Sequence, residues 1–208
     1  MLIEVFSDFL CPWCFIGERR LTQVLARIDR DVELHFRAYL LKPDLTAEGA
    51  DRAALLTERY GAQADLARAP ARVAEAAAED GIELRYDRIT RVPDTRLAHA
   101  VMARYQAEGA AATERLELAD ALFQAYFQQG KDLADPEQLA EVVAPFPVSV
   151  ANARRDDPTV VADLELGRQR EVVGVPNVWF AQRFSLPGVQ SASTLEHFVL
   201  RALERLSS

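Results

Sequence analysis

The sequence predicts an α/β chain whose small sheet is split by a long helical insertion, and three stretches predict it. Leu2 to Phe6 is a nearly continuous apolar run with one Glu, the pattern of a strand buried on both faces. Val32 to Leu40 alternates cleanly, with Val32, Leu34, Phe36, Ala38 and Leu40 on one face and Glu33, His35, Arg37 and Tyr39 on the other. From about Leu45 to Val172 the signals are almost all helical, and strand pattern resumes only at Val175.

Between the first two strands Pro12 suits the opening turn of a helix, where its missing N–H costs nothing. Leu21, Val24, Leu25 and Ile28 recur on one face of that helix, and counting back through Gly17 brings Cys14 into the same stripe. Strand, helix and strand make a right-handed unit with parallel strands, and Lys42-Pro43-Asp44 ends the sheet. In the insertion, Pro70 to Asp80 reads as a helix with Gly81 after its end. Leu97, Val101 and Tyr105 share a helical face, as do Leu116, Ala119, Phe123 and Tyr126. Asp135-Pro136 and Asp157-Pro158 each put a capping acid before a first-turn proline, so two further helices begin there. Val175 to Phe180 and Arg183 to Leu186 form an antiparallel hairpin, which brings the sheet to four strands. Ser193-Thr194-Leu195-Glu196 reads as a capping box, and Leu195, Phe198, Val199, Ala202, Leu203 and Leu206 give the final helix its apolar face. Residues 1–44 and 173–208 thus form one domain, and 45–172 an insertion packing over one sheet edge.

The 208 residues are 50% hydrophobic, enough for a sizeable core. A formal net charge of −8 argues against nucleic-acid or anionic-membrane partners, which a basic surface would meet. No charged n-region and apolar h-region precede the first strand, and no run approaches membrane-spanning length, so the expected location is cytoplasmic.

The chemistry concentrates in Ser7-Asp8-Phe9-Leu10-Cys11-Pro12-Trp13-Cys14, which holds the only two cysteines. A structural disulfide closing so short a loop would add only about 2 kcal/mol. A zinc site needs about four ligands, and His35, His99 and His197 stand at no finger spacing. A Cys-x-x-Cys pair between a strand and a helix is a redox site. Cys14 should be buried in the stripe. Cys11 falls at the N-cap, where unpaired N–H groups and the positive end of the helix dipole stabilise a thiolate. Cys11 is therefore the attacking sulfur and Cys14 the resolving one. Pro12-Trp13 offers no cation and Asp8 is a like charge, so the shift in Cys11 acidity should be moderate. His99, at the rim of its stripe, reads as structural, with a place lining the substrate cleft as the alternative; His35 reads as solvated or hydrogen-bonded, and His197 as solvated.

Cys11-Pro12-Trp13-Cys14 with Phe15-Ile16-Gly17, Asp94-Thr95-Arg96-Leu97-Ala98-His99, Ala125-Tyr126-Phe127, Val173-Gly174-Val175-Pro176 and Gly188-Val189-Gln190 together resemble the DsbA family, and most closely its FrnE-like branch. The resemblance runs nearly end to end. It departs at Asp94, where the family usually has Asn, and in lacking the C-terminal cysteines of some relatives. It implies a thioredoxin fold with a large all-helical insertion, and a thiol-disulfide oxidoreductase, reductase or isomerase, working through a mixed disulfide. It implies that Val175-Pro176 is cis and faces the cysteine pair, that the Val175 backbone pairs with a substrate chain, and that Trp13 rims the mouth. No cofactor is expected beyond the cysteine pair, with glutathione as a candidate reductant or co-substrate. The expected partners are thiol- or disulfide-containing proteins or small molecules, and the expected state is monomer or homodimer. The same fold family includes kappa-class glutathione transferases and hydroxychromene-carboxylate isomerases, which typically have Ser where this chain has Cys11. The intact pair favours redox chemistry over that alternative and over a non-catalytic binding module.

Overall fold

The computed structural model describes residues 1–61 and 68–206. β1 (Leu2–Ser7) leads into α1 (Pro12–Leu25) and β2 (Glu33–Ala38). β3 (Ala50–Asp51), α2 (Arg52–Tyr60), α3 (Ala71–Glu79) and β4 (Arg91–Val92) open the insertion, and α4 (Arg96–Ala107), α5 (Ala112–Phe127), α6 (Pro136–Val143) and α7 (Pro158–Gln169) complete it. β5 (Asn177–Phe180), β6 (Phe184–Pro187) and α8 (Ala192–Leu206) close the chain. The four-stranded sheet has the order β2-β1-β5-β6, with β1 parallel to β2 and antiparallel to β5.

Most expected elements form where their local signals stand. Asp135 and Asp157 cap α6 and α7 by accepting backbone N–H groups, with Pro136 and Pro158 in the first turns. β2 is shorter than its alternation suggested, although Tyr39 still donates to the Ser7 carbonyl at 3.0 Å. Two expectations need correction. The insertion is not purely helical, because Ala50–Asp51 pairs antiparallel with Arg91–Val92; two residues per strand are too short to show a period. The capping residue of α8 is Ser191 rather than Ser193, since the Ser191 hydroxyl accepts the Thr194 N–H at 3.1 Å. The helix thus starts at Ala192 and takes Ser193 and Glu196 into its first turns. The Leu206 side chain lies outside the described residues.

β1 shows how the sheet meets the insertion. Ile3 and Val5 point with Leu34, Phe36, Val178 and Phe180 into one apolar cluster, which also takes in Leu97, Val101, Phe123 and Phe127 of α4 and α5. The cluster therefore runs through both the sheet and the insertion. The opposite face carries Glu4, fully buried. Its two oxygens accept Arg37 Nε at 2.9 Å and Arg170 Nη1 at 2.7 Å. Arg37 reaches on to Asp163 of α7 at 3.0 Å, whose other oxygen accepts the Ala38 N–H at 3.1 Å. Arg170 also lies over the Trp179 ring at 4.7 Å. The one charge in an apolar strand is thus the anchor that fixes α7 to the sheet.

Removing one partner of a buried ion pair leaves the other uncompensated, at a cost of about 3–5 kcal/mol. Arg37→Met should destabilise the protein by about 3 kcal/mol near neutral pH. The loss should shrink in acid, where Asp163, whose carboxyl burial pushes above its ordinary value, takes up a proton, and urea unfolding at neutral and acid pH checks both.

Candidate active site

β1 ends at Ser7, and Asp8, Phe9 and Leu10 turn the chain into α1. Cys11 is the N-cap, extended at φ −94° and ψ 111°, with Pro12 in the first turn. Its N–H donates to the Asp8 carbonyl at 2.9 Å, and its carbonyl accepts the N–H groups of Cys14 at 3.0 Å and Phe15 at 3.2 Å. Both cysteines are free thiols and both are buried, Cys11 at 4% exposure and Cys14 at 2%. Exposure therefore does not tell them apart.

Hydrogen bonding does. The Cys14 thiol donates to the Cys11 sulfur, holding the Cys11 pKa below its ordinary value; burial pushes back, and the Cys14 and Trp13 backbone N–H groups pull the same way as the thiol. Asp8 opposes this with its negative charge, as the sequence suggested. Burial pushes the Cys14 thiol well above its ordinary value, and its bond to Cys11 and the charge there add to the effect. As pH rises, the first sulfur of the pair to ionise is Cys11, with the proton of its neighbour held in place.

The Val175-Pro176 peptide bond is cis. The Val175 carbonyl lies 3.6 Å from the Cys11 sulfur and accepts its S–H when that thiol is protonated. Pro176 meets α1 at Gly17, where an added Cβ would stand 3.3 Å from the proline Cγ. Glycine inside a helix gives up about 1 kcal/mol relative to alanine, and here its missing side chain lets the Val175 turn approach. Trp13 and Leu10 are half-buried beside the pair and pack against the main apolar cluster. All six residues singled out from the sequence, Cys11, Pro12, Trp13, Cys14, Val175 and Pro176, thus gather around the head of α1.

Three further residues stand beside this site; the sequence named Asp8 as a nearby like charge and left His99 between a structural and a cleft-lining place, but gave no sign of Tyr86. Asp8 is fully buried and accepts from Leu10 N at 3.2 Å, Leu41 N at 2.6 Å and Thr95 Oγ1 at 2.8 Å, so it ties the turn before Cys11 to the loop after β2 and to the start of α4. His99 packs its ring against Phe9, tilted by 36° with centroids 4.8 Å apart, and its buried Nε2 stops 3.9 Å from Asp8. That is too far for a hydrogen bond, and the nitrogen has no partner. Tyr86 is close enough for the charge at Cys11 to bear on it; burial, the larger cause, pushes its phenol up to about 12. The Arg52 guanidinium lies 5.1 Å over the Tyr86 ring. His35 bonds Glu33 at 2.9 Å, and His197 is exposed. Among the described residues no cluster of three or more His, Cys, Asp or Glu side chains is placed to hold a metal, and no helix is long and apolar enough to cross a membrane.

The family model of the DsbA-like thioredoxin domain matches residues 2–199. The chain belongs to this family. Solved structures similar to this DsbA-family chain include a probable DsbA oxidoreductase from Streptomyces coelicolor, 24% identical, with TM-score 0.78 over 98% of this chain and 90% of that one. A cytosolic disulfide reductase, DsbM from Pseudomonas aeruginosa, solved with glutathione, is 14% identical, with TM-score 0.66 over 98% of this chain and all (100%) of that one. A 2-hydroxychromene-2-carboxylate isomerase is 16% identical, with TM-score 0.60 over 100% of this chain and 96% of that one. At these identities the likeness is one of fold. No curated protein matches the chain.

Asp8→Asn tests the balance at the site. It removes the charge that opposes the Cys11 thiolate, so Cys11 should become more acidic in an ultraviolet thiolate titration. It also trades an acceptor oxygen for an amide nitrogen among three donors, which should cost about 1–3 kcal/mol in thermal or urea unfolding.

Proposed function

We propose that this DsbA-family protein is a thiol-disulfide oxidoreductase working as a disulfide reductase or isomerase. The observation that carries the reading is the asymmetry of the pair, in which Cys11 accepts hydrogen bonds from the Cys14 thiol and the first turn of α1. In the reduced enzyme the Cys11 thiolate attacks a substrate disulfide. An S–S bond forms from Cys11 to one substrate sulfur, and the other leaves as a thiolate and takes up a proton. Cys14 then loses its proton and attacks Cys11, releasing the second substrate thiol and leaving a Cys11–Cys14 disulfide. Two electrons have passed to the substrate, and an external thiol, with glutathione as the candidate, returns the pair to the dithiol.

Isomerase work uses the same first step, with a second substrate thiol in place of Cys14 as the attacking group. The Val175 turn offers a backbone edge beside Cys11 for an extended substrate chain, and Trp13 and Leu10 an apolar rim. The FrnE-like resemblance favours protein substrates, and a reducing compartment such as the cytoplasm would keep the pair as a dithiol. The glutathione-bound DsbM structure supports a second reading in which glutathione itself is the thiol partner of Cys11.

Cys14→Ala should trap. With the resolving thiol gone, Cys11 still attacks but the adduct persists, so mixed disulfides accumulate through Cys11 and vanish in Cys11→Ala. Mass spectrometry of the adducts sorts the readings: proteins indicate the reductase or isomerase, glutathione alone the second reading. No adduct on intact, folded Cys14→Ala would overturn both.

A further inference from the structure

Away from the thiol pair, α1 and α5 enclose a cleft of about 440 Å³. It shares no residue with Cys11, Cys14 or the Val175-Pro176 turn. Its walls are largely apolar, with Leu25 and Ile28 at the end of α1, Val32 before β2 and Leu116 on α5. Volume and lining are those of a site for a small molecule. The cleft also holds an unmet polar demand. Glu18 lines it at 4% exposure, with Oε1 accepting the Thr22 hydroxyl at 2.7 Å and Oε2 buried without a partner.

The other charges facing Glu18 do not answer that demand. Arg19, its neighbour on α1, is committed to Asp120 on α5 at 2.5 Å. Glu117 on α5 adds a negative charge at the mouth, and Arg30, from the loop between α1 and β2, is exposed. A buried carboxyl oxygen without a partner is costly, and once Glu18 is ionised the group that satisfies it must donate a hydrogen bond from within an apolar cleft. We propose that this cleft binds a small organic cation, an alkyl- or arylalkylammonium, with its apolar body against Leu25, Ile28 and Leu116 and its ammonium donating to the Glu18 carboxylate. The terminal torsion of a glutamate is soft, so a small rotation brings either oxygen toward the cleft.

The protonation of Glu18 supports this and gives it a signature. Burial pushes the carboxyl up to about 8, against the Thr22 hydroxyl and Arg19, which pull it down, and with Asp120, which pushes it up. At neutral pH the empty site holds a proton, and an arriving ammonium must displace it. Affinity should therefore rise with pH, roughly tenfold from about pH 7 to about pH 9 for one displaced proton, until the amine itself begins to lose its charge.

Calorimetric titration of the full chain with 2-phenylethylamine, 2-phenylethanol and 3-phenylpropionate tests the inference. The amine should bind, with the alcohol and the carboxylate at least about tenfold weaker, and amine binding should show the rise with pH. Glu18→Gln should erase both the preference and the pH dependence. Thr113→Trp, at the exposed mouth of the cleft, should block the amine while leaving disulfide exchange unchanged, and it stands as the test if Glu18→Gln does not fold. Equal affinity for the three probes, amine binding undiminished in Glu18→Gln or in Thr113→Trp, or no amine binding to the intact protein would each overturn it.

Discussion

The Cys14 thiol donates to the Cys11 sulfur at the head of a helix whose first N–H groups point the same way, and the rest of the structure holds that arrangement in place. Two cysteines almost equally buried become chemically unlike because one sits at an N-cap and the other a turn inside the helix. The cap position supplies donors; the inner position supplies burial and a proton. Strand β1 and the Asp8 turn set where α1 begins, so the register of one strand decides which sulfur is which.

The surrounding polar groups act as fasteners. Asp8 joins the turn before Cys11 to the loop after β2 and to α4, through three donors to one buried carboxylate. Glu4 joins β1 to β2 and α7 through two arginines and Asp163. Each fastener brings a segment of the insertion against the sheet, and the apolar cluster closes over Phe9, Phe15, Phe123 and Phe127 beneath the site. Asp8 carries a cost along with its fastening, because its charge opposes the thiolate it helps to position. The site is thus tempered by the group that builds it.

Short-range signals made much of this legible. The N-cap cysteine, the proline-started helices and the alternation of β2 are each decided within one turn or one strand, and the sequence carries them openly. What it hid lies between distant segments. Glu4 reads as one polar residue in a strand until Arg37 and Arg170 are seen beside it, 33 and 166 residues away. Thr95 and Tyr86 approach the site only because the insertion folds back over it, and no local period reports that. The two-residue pairing of β3 with β4 is too short to announce itself. At α8 a good box at Ser193 competed with a plainer cap at Ser191, and the hydroxyl contact to Thr194 selected the latter. The cis Val175-Pro176 bond was legible through family resemblance rather than through the residues around it.

The asymmetry of the two sulfurs is tested most directly by the pH dependence of alkylation of the reduced protein, with the modified residue mapped by peptide mass spectrometry. Cys11 should react alone, its rate levelling off at a pH below the ordinary thiol value, while Cys14 stays protected until the protein unfolds. Modification of Cys14 first, or of both sulfurs together at the ordinary value, would contradict the account.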